Sequence, residues 1–431
     1  MKQVGTATAA QRHLIGIGGV GMSALATALV KLGDNVTGAD RTLDTPNVRF
    51  LESLGVKVFP DDGSGVDAAT DEVIVSTAIE ETNPGLRKAH ELGIPVTHRA
   101  KALARTLAGY RLVAVVGTCG KSTVTAMLGH VLAECGLDPL CVNGANVPGW
   151  EGAVRFGRGA YAVAEVDESD KSLVAFSPYA AVVTNASADH YSKEEMDAVF
   201  DAFVKDCPGP VVDGRKGLGG LDGLDVPIPG AHNRQNAELA VRMAVALGVD
   251  AAEAMAAMKT FRGVERRLQI VSSARPNPSS PIPHPSSLAP SVYDDYAHNP
   301  EKLRAMWTTL AEKYPQGVCA IWRPHGYAPL RKMKDALAAM FAETIRPQDR
   351  LLLLPVYDAG GTTDRSINSD ALVAAVARAD AAVGARVTLV ADLDAAFDWC
   401  AAHRGAFGCL VTCGARDPGL PRLARRLADA G

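Results

Sequence analysis

Long apolar runs are absent from this chain of 431 residues. A helix that spans a membrane needs about 20 consecutive apolar residues, and the longest aliphatic stretch, 351–354, is only strand-sized. The beginning of the chain also lacks the pattern of an export signal, because Gln11, Arg12 and His13 interrupt it. We therefore expect no membrane partner.

Cysteines are scarce too, and neither sign of charge is in large excess. Only eight cysteines are present and none form a CxxC pair, so the sequence disfavours a disulfide framework or a zinc ribbon and favours the reducing cytoplasm. Lys and Arg together number 44, and Asp and Glu number 48. This balance excludes the strongly basic class of nucleic-acid binders, so we expect no nucleic-acid partner.

Strand and helix patterns alternate along the whole chain, which is typical of α/β units with parallel sheets. At roughly 150 residues per domain, the length predicts about three domains, and we place them at 1–107, 108–262 and 263–431. Strands are predicted at 13–17, 36–39, 73–76, 112–116, 161–166, 181–184, 319–322, 351–355, 387–390 and 409–412.

Three further segments have distinctive compositions. Segment 211–229 is rich in glycine and predicts a surface loop, and segment 233–258 is rich in alanine and predicts a long helical region. Segment 272–291 is rich in proline and serine, a composition that does not pack into a core, and predicts a flexible loop.

The strongest motif is the glycine turn GTCGKST at 117–123, which follows an apolar strand and opens a helix. The first N–H groups of a helix are unpaired and carry about half a positive charge, which suits a polyphosphate. In such a loop a lysine reaches the outer phosphates and a hydroxyl ligates Mg²⁺. Because Val115 stands where the strict pattern has glycine, the match is to a shorter variant, and a glycine turn without a ligand is the competing interpretation. The candidate phosphate-binding residues are Gly117, Thr118, Gly120, Lys121, Ser122 and Thr123.

A second glycine turn, GxGxxG, begins at Gly16, and Asp40 ends the next strand. This spacing fits a dinucleotide fingerprint, but a UDP-sugar offers the same diphosphate as NAD. The motif alone therefore leaves three interpretations open: a UDP-sugar site, an NAD site, and a tight turn with no ligand.

Acidic residues and a histidine follow two strands of the second unit. Glu165 and Asp167 follow one strand, and Asp189 and His190 follow the next. Since the carboxyl ends of parallel strands face the ligand crevice, carboxylate, imidazole and hydroxyl groups are predicted to converge on Mg²⁺ beside the phosphates. The alternative is a solvated acidic loop with a surface histidine.

Taken together and in order, these motifs resemble the Mur ligases. The resemblance also rests on the motifs GIGGVGMSALA (16–26), VSTAI (75–79), HRAKAL (98–103), AEVDESDKSL (164–173), TNASADH (184–190), PGAHNRQNAELA (229–240), FRGVERR (261–267), YDDYAHNP (293–300) and RPH (323–325). Any one of them is weak evidence, but their joint order across three α/β units is specific.

The resemblance implies an α/β fold with a Rossmann-like N-terminal domain, a central P-loop domain with a parallel sheet, and a Rossmann-like C-terminal domain. It implies an ATP-dependent ligase, with ATP and Mg²⁺ as cofactors, that joins an amino acid to UDP-N-acetylmuramate through an acyl phosphate. L-alanine is the expected amino acid, and the chain is expected to be a monomer or a homodimer. ATP is expected between the second and third domains.

The resemblance also implies roles for individual residues. Those expected to act in catalysis are Lys121, Glu165, His190 and His298. Those expected to hold the metal are Ser122, Glu165 and His190. Those expected to bind ATP, besides the glycine turn, are Asn233, Asn236, Arg267 and Asp295. Those expected to bind the UDP-sugar are Gly18, Gly19, Asp40, Ser76 and Arg99.

One departure from the family concerns the amino-acid carboxylate. Alanine-adding members place arginines just after the Pro-His pair, where this chain has Gly326 and Pro329. A charged hydrogen bond is worth about 1.5–3 kcal/mol, so the lost arginines need substitutes. His325 and Arg331 are predicted to bind substrate, and the other substitutes considered are Arg323 and Arg365.

A second departure is Cys119, which replaces a histidine, and a tolerated loop substitution is favoured over a metal or redox role. Three functional alternatives stay open at this point. They are a related ligase that adds another amino acid or recycles a murein peptide, an NAD-dependent oxidoreductase, and a nucleotide-binding protein without enzymatic activity.

Overall fold

A computed structural model describes residues 10–167, 172–186, 193–272, 290–358 and 364–430. The chain folds into two compact units: the first extends to Pro227 and includes Asn233–Val264, and the second comprises Ile228–His232 and the chain from Glu265 onward. No helix within the described ranges is both long and apolar enough to cross a membrane.

The first sheet has five parallel strands in the order β3-β2-β1-β4-β5. Its strands are β1 (Gln11–Ile15), β2 (Asn35–Asp40), β3 (Lys57–Pro60), β4 (Glu72–Val75) and β5 (Val96–His98), and its helices are α1 (Val20–Lys31), α2 (Pro46–Ser53), α3 (Pro84–Glu91) and α4 (Arg99–Leu107). The chain reverses its direction of winding between β1 and β4. In sheets of this kind such a reversal opens a ligand crevice at the carboxyl ends of the strands.

The second sheet belongs to the same unit and has the order β11-β10-β6-β9-β7-β8, in which only β8 is antiparallel. Its strands are β6 (Arg111–Val116), β7 (Leu140–Val142), β8 (Val154–Arg155), β9 (Tyr161–Glu165), β10 (Ala180–Val183) and β11 (Val211–Asp213). Its helices are α5 (Lys121–Glu134), α6 (Lys193–Val204), α7 (Ala231–Ala246) and α8 (Ala251–Met258), with short 3₁₀ turns at Ser172–Ala175 and Gly214–Lys216.

Two sequence predictions for this unit need correction. Segment 211–229 is not loop throughout, because its first residues pair with β10 as the edge strand β11. The helical region at 233–258 is two helices, since Gly248 adopts a φ of +101° and Asp250 caps α8 by accepting hydrogen bonds from the Ala252 and Glu253 N–H groups at 2.8 and 3.1 Å. A short edge strand and a glycine inside an alanine-rich stretch give weak signals in a single sequence.

The third sheet forms the second unit and has the order β12-β13-β17-β14-β15-β16. Its strands are β12 (Gln269–Ser272), β13 (Ser291–Asp295), β14 (Val318–Trp322), β15 (Arg350–Leu353), β16 (Val387–Leu389) and β17 (Cys409–Cys413). Its helices are α9 (Pro300–Lys313), α10 (Tyr327–Thr344), α11 (Ser369–Ala379), α12 (Ala381–Gly384), α13 (Leu393–Ala402) and α14 (Gly419–Asp429), with a 3₁₀ turn at Arg404–Ala406. All pairs are parallel except β12 with β13, so the predicted α/β class is confirmed.

Buried apolar clusters form the core of each unit. In the first unit, Leu25 of α1 and Leu107 of α4 belong to the same buried cluster as Val116 of β6, so the two sheets share one core. In the second unit, the ring centroid of Trp322 lies 5.7 Å from that of Phe341, in an edge-on arrangement that aromatic pairs prefer.

A buried histidine in the first sheet makes the stability of the fold depend on pH. His13 is 1% exposed, and its Nδ1 lies 2.9 Å from Thr37 Oγ1. Burial lowers the pKa of His13 to about 4, although the carboxylates of Asp67 and Asp61 oppose this shift. Between about pH 6.5 and 4, the His13 ring therefore stays neutral in the folded protein but takes up a proton in the unfolded chain. The free energy of unfolding therefore falls as the pH falls through that window.

The free energy of unfolding should fall less between about pH 7 and pH 5 in His13→Gln than in the unsubstituted protein. We expect the difference between the two decreases to be about 1–2 kcal/mol. Urea unfolding at both pH values measures this difference. His90→Gln, at an exposed histidine of α3, is the matched control and should leave the pH dependence unchanged. Identical pH dependence of His13→Gln and the unsubstituted protein would contradict the assignment.

Candidate active site

The glycine turn at 117–123, here called the phosphate loop, connects β6 to α5. Gly117 and Gly120 adopt φ values of +133° and +83°. A Cβ atom on Gly117 would lie 2.1 Å from Thr184 Oγ1, and one on Gly120 would lie 2.6 Å from Asn236 Oδ1. Both positions therefore require glycine for conformational and steric reasons.

Two residues at the end of β10, the strand beside β6, hold the phosphate loop in place. Thr184 Oγ1 and Asn185 Nδ2 both donate to the Cys119 carbonyl oxygen, at 2.6 and 3.0 Å. Asn185 Oδ1 accepts from the Cys119 N–H at 3.0 Å and from Thr118 Oγ1 at 2.6 Å. Sequence analysis assigned no role to Thr184 or Asn185. Both belong to the motif TNASADH, but their contact with this loop depends on which strand lies beside β6.

Cations and hydroxyls lie where the motif predicts them. Lys121 is the first residue of α5, and its Nζ donates to the Gly117 carbonyl oxygen at 2.7 Å and lies 3.8 Å from Asp167 Oδ1. Ser122 and Thr123 follow it in the first turn and are 4% and 5% exposed. The positive end of the helix and the ammonium group therefore act in the same place, as anion binding requires.

Glu165 ends β9, the other strand beside β6, so the phosphate loop lies between the ends of two neighbouring strands. Its Oε2 accepts from the Gly144 N–H at 2.8 Å. Carboxylate and hydroxyl oxygens are the ligands that Mg²⁺ prefers, so Glu165 and Ser122 fit a magnesium ion. His190 lies outside the described residues, and among the described ones no group of three His, Cys, Asp or Glu is arranged to hold a metal.

The first sheet brings a second set of predicted residues to its carboxyl edge. Asp40 Oδ2 accepts from the Gly18 N–H at 2.9 Å, and Gly19 is the residue before α1. The Arg99 guanidinium lies over the start of the same helix, since a Cβ on Gly21 would be 3.1 Å from its Nη1. Ser76 follows β4, the strand that lies beside β1 on the side away from β2. A guanidinium beside a helix N-terminus is suited to a diphosphate.

Two histidines lie together in the second unit, with ring centroids 4.9 Å apart. His298 Nδ1 lies 2.9 Å from the Tyr296 carbonyl oxygen, so Nδ1 carries the proton and Nε2 is the acceptor in the neutral ring. Burial, and then Lys302, lowers the pKa of His298 to about 3. Burial, and then Arg416 and Lys302, lowers the pKa of His325 to about 4. Both rings are therefore neutral near pH 7.

The residues predicted to bind the nucleoside are divided between the two units. Asn233 and Asn236 are 4% and 7% exposed on α7, and Asn236 lies against the phosphate loop as described above. In the second unit, Arg267 lies over the Tyr296 ring, 4.7 Å from its centroid. Burial raises the pKa of Asp295, whose oxygens accept from the Leu268 and Ala297 N–H groups at 2.6 and 2.7 Å. Asp295 thus supports its own loop.

The arginines considered as substitutes for the missing family arginines are all paired with aspartates. Arg331 Nη2 lies 2.8 Å from Asp364 Oδ2, and Arg365 Nε lies 2.7 Å from Asp358 Oδ2. Arg323 pairs with Asp417. Each of these aspartates already neutralises its arginine and would compete with a substrate carboxylate for the guanidinium. The role of Arg331 stays a prediction.

The two ends of α5 offer a matched test of the phosphate loop. Gly120 precedes the helix and Gly136 follows it. Both have positive φ, and a Cβ on Gly136 would meet nothing within 4 Å. Alanine at either position costs about 1–2 kcal/mol of backbone strain, but only Gly120→Ala also displaces Asn236.

We expect Gly120→Ala to weaken binding of Mg-ATP by on the order of 10- to 100-fold and Gly136→Ala to leave it unchanged, as measured by calorimetry. Equal affinity of the two variants would contradict this interpretation of the loop.

Family models match two parts of the chain. A model described as "Mur ligase family, catalytic domain" matches residues 11–111, and one described as "Mur ligase, glutamate ligase domain" matches residues 285–416. The phosphate loop lies between the two matched ranges.

Curated relatives extend the similarity across the chain. The UDP-N-acetylmuramate–L-alanine ligase of Paenarthrobacter aurescens is 33% identical over 93% of this chain and 96% of that protein. The enzyme of the same name from Agrobacterium fabrum is 30% identical over 84% of this chain and 86% of that protein.

Solved structures show the same fold. The UDP-N-acetylmuramate–alanine ligase of Thermotoga maritima aligns with a TM-score of 0.79 at 24% identity, covering 97% of this chain and 98% of that one. The murein peptide ligase of Psychrobacter arcticus aligns with a TM-score of 0.65 at 20% identity, covering 98% of each chain. With a fold in common and a relative 33% identical along nearly its whole length, the chain belongs to the Mur ligase family.

Proposed function

We propose that this protein is an ATP-dependent ligase that joins L-alanine to UDP-N-acetylmuramate in the synthesis of peptidoglycan precursors. The observation that carries the proposal is the phosphate loop, which Asn185 clamps and Lys121 completes. The names of the relatives supply the substrates, because proteins called UDP-N-acetylmuramate–L-alanine ligase match more than four fifths of the chain.

The chemistry explains why such a ligase needs ATP. A carboxylate is a poor acyl electrophile, because its charge repels nucleophiles and oxide is a bad leaving group. In the proposed reaction the muramate carboxylate attacks the γ-phosphorus of ATP, ADP leaves, and an acyl phosphate forms. The amine of L-alanine then attacks the acyl carbon, and inorganic phosphate leaves. The protein contributes positioning and charge neutralisation.

The phosphate loop would act in the first step. Lys121 holds the outer phosphates, and the N–H groups at the start of α5 orient them. Ser122, Glu165 and His190 are the residues that would hold Mg²⁺, which neutralises phosphate charge when it is bound. Glu165 is oriented by its hydrogen bond from Gly144.

The histidine pair would act in the second step. An amino acid in neutral solution carries an ammonium group, which must lose a proton before it can attack. The amine therefore loses that proton to solvent, because the lowered pKa of His298 makes its ring too weak a base to take it. With Nδ1 hydrogen-bonded to the Tyr296 carbonyl, the neutral ring offers Nε2 as a hydrogen-bond acceptor that orients the amine. We place His298 near the acyl phosphate, with His325 beside it.

The remaining assignments belong to the same proposal. Three domains, divided at 107/108 and 262/263, a cytoplasmic location, and a monomeric or homodimeric chain are predicted. The residues proposed to bind ATP, besides the phosphate loop, are Asn233, Asn236, Arg267 and Asp295. Those proposed to bind the UDP-sugar are Gly18, Gly19, Asp40, Ser76 and Arg99.

We expect Lys121→Ala to reduce phosphate release from ATP, in the presence of UDP-N-acetylmuramate and L-alanine, by on the order of 100-fold or more. The reason is that the positive charge that stabilises the transferred phosphoryl group is lost. Lys259→Ala, at an exposed lysine after α8, is the control and should retain full activity. Unchanged amide synthesis by Lys121→Ala would refute the proposal.

A panel of amines defines the second substrate. With Mg-ATP and UDP-N-acetylmuramate, we expect L-alanine to give the highest kcat/KM for phosphate release among glycine, L-serine, L-alanine and a murein tripeptide. Mass spectrometry should detect the matching adduct. Preference for the tripeptide would instead assign the chain to peptide recycling, and NADH binding without ATP turnover would favour an oxidoreductase.

A further inference from the structure

Three neighbouring strands of the third sheet end at the same edge. β17 pairs in parallel with β13 on one side and β14 on the other, and Cys413 is the partner of both Asp295 and Trp322. The loops that follow these strands therefore start side by side. They carry His298 after β13, His325 after β14, and Arg416 after β17.

The loop that carries Arg416 is fixed on both sides of that residue. Before it, the Arg266 guanidinium donates to the carbonyl oxygens of Gly414 and Ala415. After it, Asp417 pairs with Arg323 and accepts from the Gly419 N–H at 2.7 Å. The backbone at Arg416 is thus held in place by interactions that do not use the Arg416 side chain.

Close packing around Gly414 further restrains the same loop. Gly414 has a φ of +145°, and a Cβ there would lie 2.9 Å from the Arg323 carbonyl oxygen. Its N–H donates to the Asp295 carbonyl oxygen at 3.2 Å. Preorganised backbone of this kind reduces the entropy that a binding side chain loses when it takes up its ligand.

Arg416 differs in its electrostatic surroundings from the arginines near this edge that are not proposed to bind ATP. Arg266 pairs with Asp294 at 3.2 Å, and Arg323, Arg331 and Arg365 pair with the aspartates described above. Arg416 is exposed and, within the part of the chain that the structure describes, has no carboxylate within ion-pair distance. Its charge reaches the histidine pair, since it contributes to the lowered pKa of His325.

We propose that Arg416 binds the carboxylate of the amino-acid substrate and replaces the arginines that this chain lacks at Gly326 and Pro329. The inference rests on the proposed ligase function. A guanidinium can hold a carboxylate through two parallel hydrogen bonds. An α-amino acid held in this way at the sheet edge would direct its amine toward the neutral histidines rather than into solvent.

The test compares L-alanine with L-alaninamide, which has the same amine and methyl group but no carboxylate. We expect Arg416→Ala to lower kcat/KM for L-alanine by roughly 10- to 100-fold, the value of one charged hydrogen-bonded contact. For L-alaninamide the change should be less than about 3-fold, because the lost contact does not exist for that amine. Since each variant-to-wild-type ratio is taken with one amine, the different basicities of the two amines cancel.

Further variants control for charge and folding. Arg416→Lys should recover part of the activity with L-alanine, because the charge is kept and the two-bond geometry is lost. Arg422→Ala, at an exposed arginine of α14, should behave as wild type with both amines. KM for ATP and for UDP-N-acetylmuramate should be unchanged in all three variants.

The outcomes separate this inference from the function on which it rests. If the wild-type protein makes no amide from L-alanine, the proposed function fails. If the wild-type protein does make this amide, the inference is overturned by either of two results. In one, Arg416→Ala is fully active; in the other, its kcat/KM falls equally for L-alanine and L-alaninamide. The inference would also be overturned if Arg331→Ala or Arg365→Ala lost activity with L-alanine selectively while Arg416→Ala did not. That result would place the carboxylate at the arginine concerned.

Discussion

Parallel strand pairing is the constraint on which the whole candidate site depends. Strands that run the same way deliver their following loops to one edge, so residues far apart in sequence become neighbours there. In the second sheet this brings the phosphate loop between Glu165 and Asn185. In the third it brings two histidines within 4.9 Å of each other. The roles proposed for the phosphate loop, Glu165 and the two histidines follow from these sheet edges.

The edge of the second sheet, which carries the proposed ATP site, differs in charge from the edge of the third sheet, which carries the proposed amino-acid site. The phosphate loop combines a helix start with an ammonium group, which favours anions. The third sheet surrounds its histidine pair with cations and partly buries it, which keeps both rings in the neutral form. The phosphate loop is therefore suited to the triphosphate, and the neutral histidines are suited to accept a hydrogen bond from an amine.

Much of the fold and part of the site were predictable from sequence. The β-branched strand before GTCGKST and the helix after it are local patterns, and the structure confirms both. The clamp by Thr184 and Asn185 was not predictable, because it depends on which strand lies beside β6. The aspartate partners of Arg331 and Arg365 were likewise invisible, since ion pairing depends on loop conformation and not on spacing. His190 itself lies outside the described residues.

The hydrogen bond from Lys121 to the Gly117 carbonyl has a consequence for selectivity. The ammonium group already donates to a carbonyl oxygen of its own loop, so an incoming molecule must offer more than an ordinary acceptor to draw it away. A phosphate oxygen with a full negative charge meets that demand, whereas a neutral sugar or alcohol gains almost nothing by the exchange. The loop thus discriminates against uncharged metabolites before any other contact is made.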